Sequence, residues 1–191
     1  MIEKLVDKLI NKQLEENMIS KEEVAIYRYG YILVCEVFIN IIIAAIIAGI
    51  SGEWLLITLF CVIYIPLRSF CGGWHADKLW KCTIYSNFII ILMIIGAEYM
   101  VQAFTGILLF VLFIICLLGI LCMAPMDTKS KPISKEERKV YKNKIHVIVL
   151  VHLFIFIAMV LAKWNTIMYV IDFSYVTQVV MLFLEKISRK K

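Results

Sequence analysis

Charge is scarce in this sequence: Asp, Glu, Lys and Arg make up 18% of its 191 residues, against about 25% in soluble globular chains. Proline and histidine number only three each. Apolar residues reach 62%, and mean hydropathy is +0.88. A soluble domain has no interior large enough for that much apolar side chain. A soluble enzyme or binding module is therefore excluded, and an all-α integral membrane protein is expected, with no room for a second large domain. The N-terminal stretch also lacks the short apolar core and small-residue cleavage site of a secretory signal.

Six apolar segments can be drawn: Tyr31–Ile50, Trp54–Leu67, Ile84–Phe104, Ile107–Ala124, Ile145–Ala162 and Ile167–Leu184. A crossing takes about 20 helical residues, so Trp54–Leu67 is short unless it continues to Phe70. Four crossings with re-entrant second and third segments are the alternative to six. Positive charge is sparse in every other connection: Ser51-Gly52-Glu53, the turn near Thr105 and Lys163-Trp164-Asn165 hold one lysine between them. The positive-inside rule then expects a multi-pass plasma-membrane protein with both termini, residues 68–82 and residues 126–144 in the cytoplasm. A nucleic-acid partner is not expected.

Residues 1–28 read as an amphipathic interfacial element, with Ile2, Leu5, Val6, Leu9, Ile10 and Leu14 at helical spacing. Residues 29–187 form the transmembrane domain, and 188–191 a basic tail. Ser20-Lys21-Glu22-Glu23 has the form of a capping box. The same words return at Ser134-Lys135-Glu136-Glu137, again ahead of an inward-starting helical hairpin. The loop 126–144 carries seven basic and three acidic residues. That suits the topology rule, anionic lipid and an acidic peptide alike.

One polar island interrupts the apolar pattern: Arg68-Ser69-Phe70-Cys71-Gly72-Gly73-Trp74-His75-Ala76-Asp77-Lys78-Leu79-Trp80-Lys81-Cys82. Cys71, His75 and Cys82 offer metal donors, but a structural zinc site needs a fourth, for which only Asp77 is at hand, and the spacing matches no familiar zinc pattern. Nucleophilic catalysis needs less, a thiol and a base within hydrogen-bond reach. In one continuous helix His75 and Cys82 would share a face about 10.5 Å apart along the axis, too far for proton transfer. A working pair therefore requires a break, and Gly72-Gly73 is the natural place for it. Cys82 is then expected near the start of the third span.

The pattern Arg68-x4-Gly73-x-His75-x6-Cys82, with Ala76 after the histidine, resembles the active-site motif of the accessory gene regulator B (AgrB) family. These are membrane cysteine endopeptidases that process quorum-sensing propeptides. The resemblance implies Cys82 as nucleophile and His75 as its base, with no cofactor. It also implies as partner an AgrD-like propeptide with an amphipathic leader and an acidic C-terminal tail. Cleavage would leave a thioester on Cys82, and an internal thiol or hydroxyl of the peptide would close a thiolactone or lactone. Arg68 either snorkels to lipid phosphate or holds substrate or oxyanion, and Gly72 and Gly73 set backbone geometry and could expose N–H donors. Asp77 could orient His75. Glu36, near the cytoplasmic end of its span, could join the pocket or pair with Arg68. His146 and His152 read as interhelical hydrogen-bonders. A small transporter or exporter using Glu36 and Asp172 is the competing class. Membrane lipids are expected partners, and a homodimer would bury more intramembrane polar surface.

Overall fold

A computed structural model describes residues 2–74, 79–103, 106–127 and 133–189. It contains α1 (Ile2–Glu15), α2 (Val24–Ser51), α3 (Trp54–Cys71), α4 (Leu79–Ala103), α5 (Gly106–Met123), α6 (Lys135–Ala162) and α7 (Asn165–Ser188). No strand occurs among the described residues. Among the described residues six helices, α2 to α7, are long and apolar enough to cross a membrane. The short second segment is resolved by its C-terminal end: α3 runs on through Arg68 to Cys71, giving 18 residues, about 27 Å of rise.

The centre of the bundle is α7, against which α3, α4, α5 and α6 all pack, while α2 lies outside on α3 and α4. Shape and aromatic stacking hold this core, since lipid provides no hydrophobic contrast between helices. Phe113 of α5 stacks on Phe156 of α6 at 4.4 Å between centroids and meets Tyr175 of α7 at 4.8 Å. Gly96 of α4 leaves the space in which the Tyr169 hydroxyl reaches the Met93 carbonyl, at 3.1 Å. His152 shares a hydrogen bond with Tyr175 across α6 and α7, at 3.2 Å. The expectation for His146 is corrected: its ring nitrogen donates to the Lys142 carbonyl one turn back in its own helix, at 2.6 Å.

The N-terminal helix has less free apolar surface than its spacing suggests. Val6 and Ile10 are buried with Ile19 against Tyr31, Ile32 and Cys35 at the foot of α2. Arg28 donates to Asp7 at 2.7 Å and Gln13 to the Tyr31 hydroxyl at 2.8 Å, fixing α1 to α2. Leu5 and Leu9 stay exposed.

The two capping-box sequences behave differently. At Ser134 both reciprocal bonds form and α6 begins at once. Residues 135–144 are therefore helix, not loop, with their charged turns preceding the apolar part of α6. At Ser20 the Glu23 carboxylate accepts the Ser20 N–H at 2.9 Å, but α2 starts only at Val24. The fully exposed Glu23 carboxyl is held below the usual carboxylate range by that backbone N–H.

Candidate active site

The island is built by the end of one helix and the start of another. Helix α3 stops at Cys71 because Gly72 leaves helical geometry at φ 72°, ψ −156°, and Gly73 follows at φ 124°. Only glycine adopts such angles without strain. Contacts enforce the same choice. A Cβ on Gly72 would run into the Met126 carbonyl, and one on Gly73 would meet the Arg68 guanidinium and the Met181 backbone.

The non-helical stretch 72–74 is tied down on two sides. Met126 pairs with Gly72 in an isolated parallel bridge, and its N–H donates to the Cys71 carbonyl at 2.9 Å. From α7, Gln178 Nε2 donates to the Gly72 carbonyl at 2.8 Å, and the Trp74 N–H donates to the Met181 carbonyl at 2.9 Å. Arg138 anchors the strap behind Met126. It donates two bonds of 2.8 Å to the Asp127 carboxylate and one of 3.1 Å to the Pro125 carbonyl.

Arg68 turns inward rather than out to lipid phosphate. Its Nη2 donates to the carbonyls of Gly73 at 3.1 Å and Trp74 at 2.6 Å. Its Nη1 is buried without a partner among the described residues. The Gly72 N–H is already used, donating to the Arg68 carbonyl at 3.2 Å as the helix cap, which removes it as an oxyanion donor.

Cys82 is half-buried in the first turn of α4, as expected. It faces a cavity of about 400 Å³ between α2, α3 and α4, also lined by Glu36, Asn40, Tyr64, Arg68 and Trp74. The cavity has two ends of different chemistry: Arg68, Cys82 and Glu36 at the island, and Ala44, Phe60 and Ile90 deeper in the bundle. One wall is pinned by Asn87, which donates to Asn40 Oδ1 at 3.0 Å and to the Thr83 carbonyl, next to Cys82, at 2.8 Å.

His75 and Asp77 lie outside the described residues, so the proposed base and its orienting carboxylate are not placed. A single helix from Gly73 through Cys82 does not exist, because residues 72–74 are non-helical and α4 starts at Leu79. Glu36 shares the cavity with Arg68, but no Glu36–Arg68 ion pair occurs among the described residues. Cys71 is fully buried in the core cluster and does not line the cavity. Asp172 is also buried and is not a lining residue. Gln178, Met181 and Met126, which hold the island, carry no motif. The one sequence signal was an amide, Gln178, within an apolar run.

Fold and site define a multi-pass helical membrane protein with a cysteine-bearing intramembrane cavity at one end. The profile of the Accessory gene regulator B (AgrB) family matches residues 2–182, and the chain belongs to that family. It is 30% identical over 173 residues to the Putative AgrB-like protein of Clostridium perfringens strain SM101, covering 86% of this chain and 80% of that one. It is 26% identical over 172 residues to the Putative AgrB-like protein 2 of Clostridium perfringens strain 13, covering 87% and 80%. No solved structure matches. Family membership supports a part in accessory gene regulator quorum-sensing peptide processing, with a peptide partner of the AgrD type.

Proposed function

We propose that this protein is a cysteine endopeptidase that removes the C-terminal tail of an AgrD-like propeptide and retains the rest as a thioester on Cys82. The observation that carries the reading is the position of Cys82. It opens from the first turn of α4 into a cavity shared with Arg68, within the pattern Arg68-x4-Gly73-x-His75-x6-Cys82. The distribution of positive charge directs this end of the bundle to the cytoplasm, where an amphipathic propeptide meets the inner leaflet.

In the reaction His75 takes the Cys82 proton, and the thiolate attacks the carbonyl carbon of the scissile peptide bond. Arg68 Nη1, which has no partner among the described residues, would donate to the developing oxyanion or to a neighbouring substrate carbonyl. The C–N bond breaks, the leaving amine takes the proton from His75, and the tail departs to water. A thiol within the retained peptide then attacks the thioester and releases a thiolactone and free Cys82. Exchange of one thioester for another is nearly balanced in energy, so the acyl group stays activated while water is excluded. Glu36 and Asp77 are auxiliary candidates, and the basic residues Lys129, Lys131 and Lys135 would receive the acidic tail.

The test is co-expression with an AgrD-like propeptide. Cys82→Ala and His75→Ala should insert normally and release no tail fragment. Release by Cys82→Ala at the wild-type rate would refute the reading.

A further inference from the structure

We propose that the deep end of the Cys82 cavity is an acyl-side specificity pocket. Ala44, Phe60 and Ile90 there would receive a large apolar side chain from the peptide residue whose carbonyl Cys82 attacks. The proposal rests on the endopeptidase reading and assigns it a substrate feature.

The register of three helices carries it. Glu36, Arg68 and Cys82 form the island end of the cavity, one from each of α2, α3 and α4. Ala44, Phe60 and Ile90 lie eight residues from them on the same three helices, a separation of about 12 Å along each axis. Because α3 runs opposite to α2 and α4, all three displacements point the same way, into the bundle. The Asn40–Asn87 hydrogen bond locks α2 against α4 at intermediate depth. All three floor residues are buried, at 3%, 4% and 5% exposure.

The chemistry selects which part of the substrate enters. When the C–N bond breaks, the amine side must reach water, and its route is the polar island end. The acyl side remains on the Cys82 sulfur until the internal nucleophile arrives, so its side chain stays beside the cavity throughout. The apolar floor beyond the Asn40–Asn87 crossing suits that side chain, and filling it excludes the water that would hydrolyse the thioester. Ala44 is the smallest of the three floor residues, so its replacement by a larger one shortens the pocket most directly.

The experiment uses the full-length protein in lipid nanodiscs and two AgrD-like propeptides that differ only in the acyl-side residue of the mapped cleavage site, Phe or Ala. Wild type should process the Phe peptide at least about tenfold faster, and Ala44→Phe should lower that Phe-to-Ala ratio by about tenfold or more. Ala44→Val should shift it in the same direction and serves if Ala44→Phe fails to insert. An unchanged ratio, or an equal loss on both peptides as a lipid chain in the cavity would give, overturns the proposal. Affinity of the two peptides for the Cys82→Ala protein, with and without the Ala44 substitution, gives the same ratio without cleavage. A Phe preference that Ala44→Phe removes there supports the pocket even if no peptide is cut, and no preference there overturns it. Tail release that survives in Cys82→Ala alone refutes the endopeptidase reading and leaves the pocket to be judged on affinity.

Discussion

Gln178 and Gly72 stand 106 positions apart in the chain and are joined by a 2.8 Å hydrogen bond from the Gln178 amide to the Gly72 carbonyl. Gln178 is fully buried, so this bond fastens the break after α3 to the central helix. Gln178→Leu keeps the volume and removes the donor, leaving a carbonyl short of its partner at a cost of about 1–3 kcal/mol. The expected outcome is lower thermal stability in detergent and slower tail release, with normal membrane insertion. Quantitative processing beside a melting curve checks it.

Gly72 and Gly73 should each fail as alanine. Both have positive φ and both face backbone or side-chain atoms where a Cβ would stand, and strain of this kind costs about 1–3 kcal/mol per residue. Gly106 is the control, since a Cβ there meets only ordinary contacts at 3.7 and 4.0 Å. Gly72→Ala and Gly73→Ala should lose most processing activity, while Gly106→Ala keeps it.

The Arg138–Asp127 pair holds the strap that covers Gly72, but both side chains are about one-third or more exposed. Exposed pairs contribute about 0.2–1 kcal/mol, so Arg138→Ala or Asp127→Ala should slow processing by less than about sixfold. Exchanging the two residues should recover part of the loss. Rates measured in low and high salt check it, since screening should diminish the wild-type advantage.

Much of this architecture is legible in the sequence because membrane crossing reduces folding to one dimension. The apolar runs give all six candidate spans found among the described residues. Boundaries extend where caps override hydropathy: α6 starts at Lys135, behind the Ser134 box, ten residues before Ile145. The break at Gly72-Gly73 and the place of Cys82 at the start of α4 also follow from the motif's own spacing. The restraints on the break do not. Met126, Gln178 and Met181 act through backbone carbonyls and N–H groups or a single amide, which leave no pattern in residue type. The cavity floor is equally silent, because Ala44, Phe60 and Ile90 are ordinary members of apolar runs until three helices are set in register.

Acid should loosen the turn between α1 and α2. Glu23 titrates below its ordinary value because the Ser20 N–H favours its charged form. Its stabilising effect is therefore present above the unfolded carboxylate pKa and is lost as pH falls through the lowered folded value. Amide exchange at Ser20 should accelerate only in that acidic range, and Glu23→Gln should remove the pH dependence.

The central claim, covalent catalysis by Cys82, is tested most directly by intact-protein mass spectrometry after brief incubation with an AgrD-like propeptide. The predicted result is a mass increase matching the acyl segment, mapped to Cys82, with stoichiometric tail release and neither signal in Cys82→Ala. Tail release without a Cys82 adduct, persisting in Cys82→Ala, would contradict it.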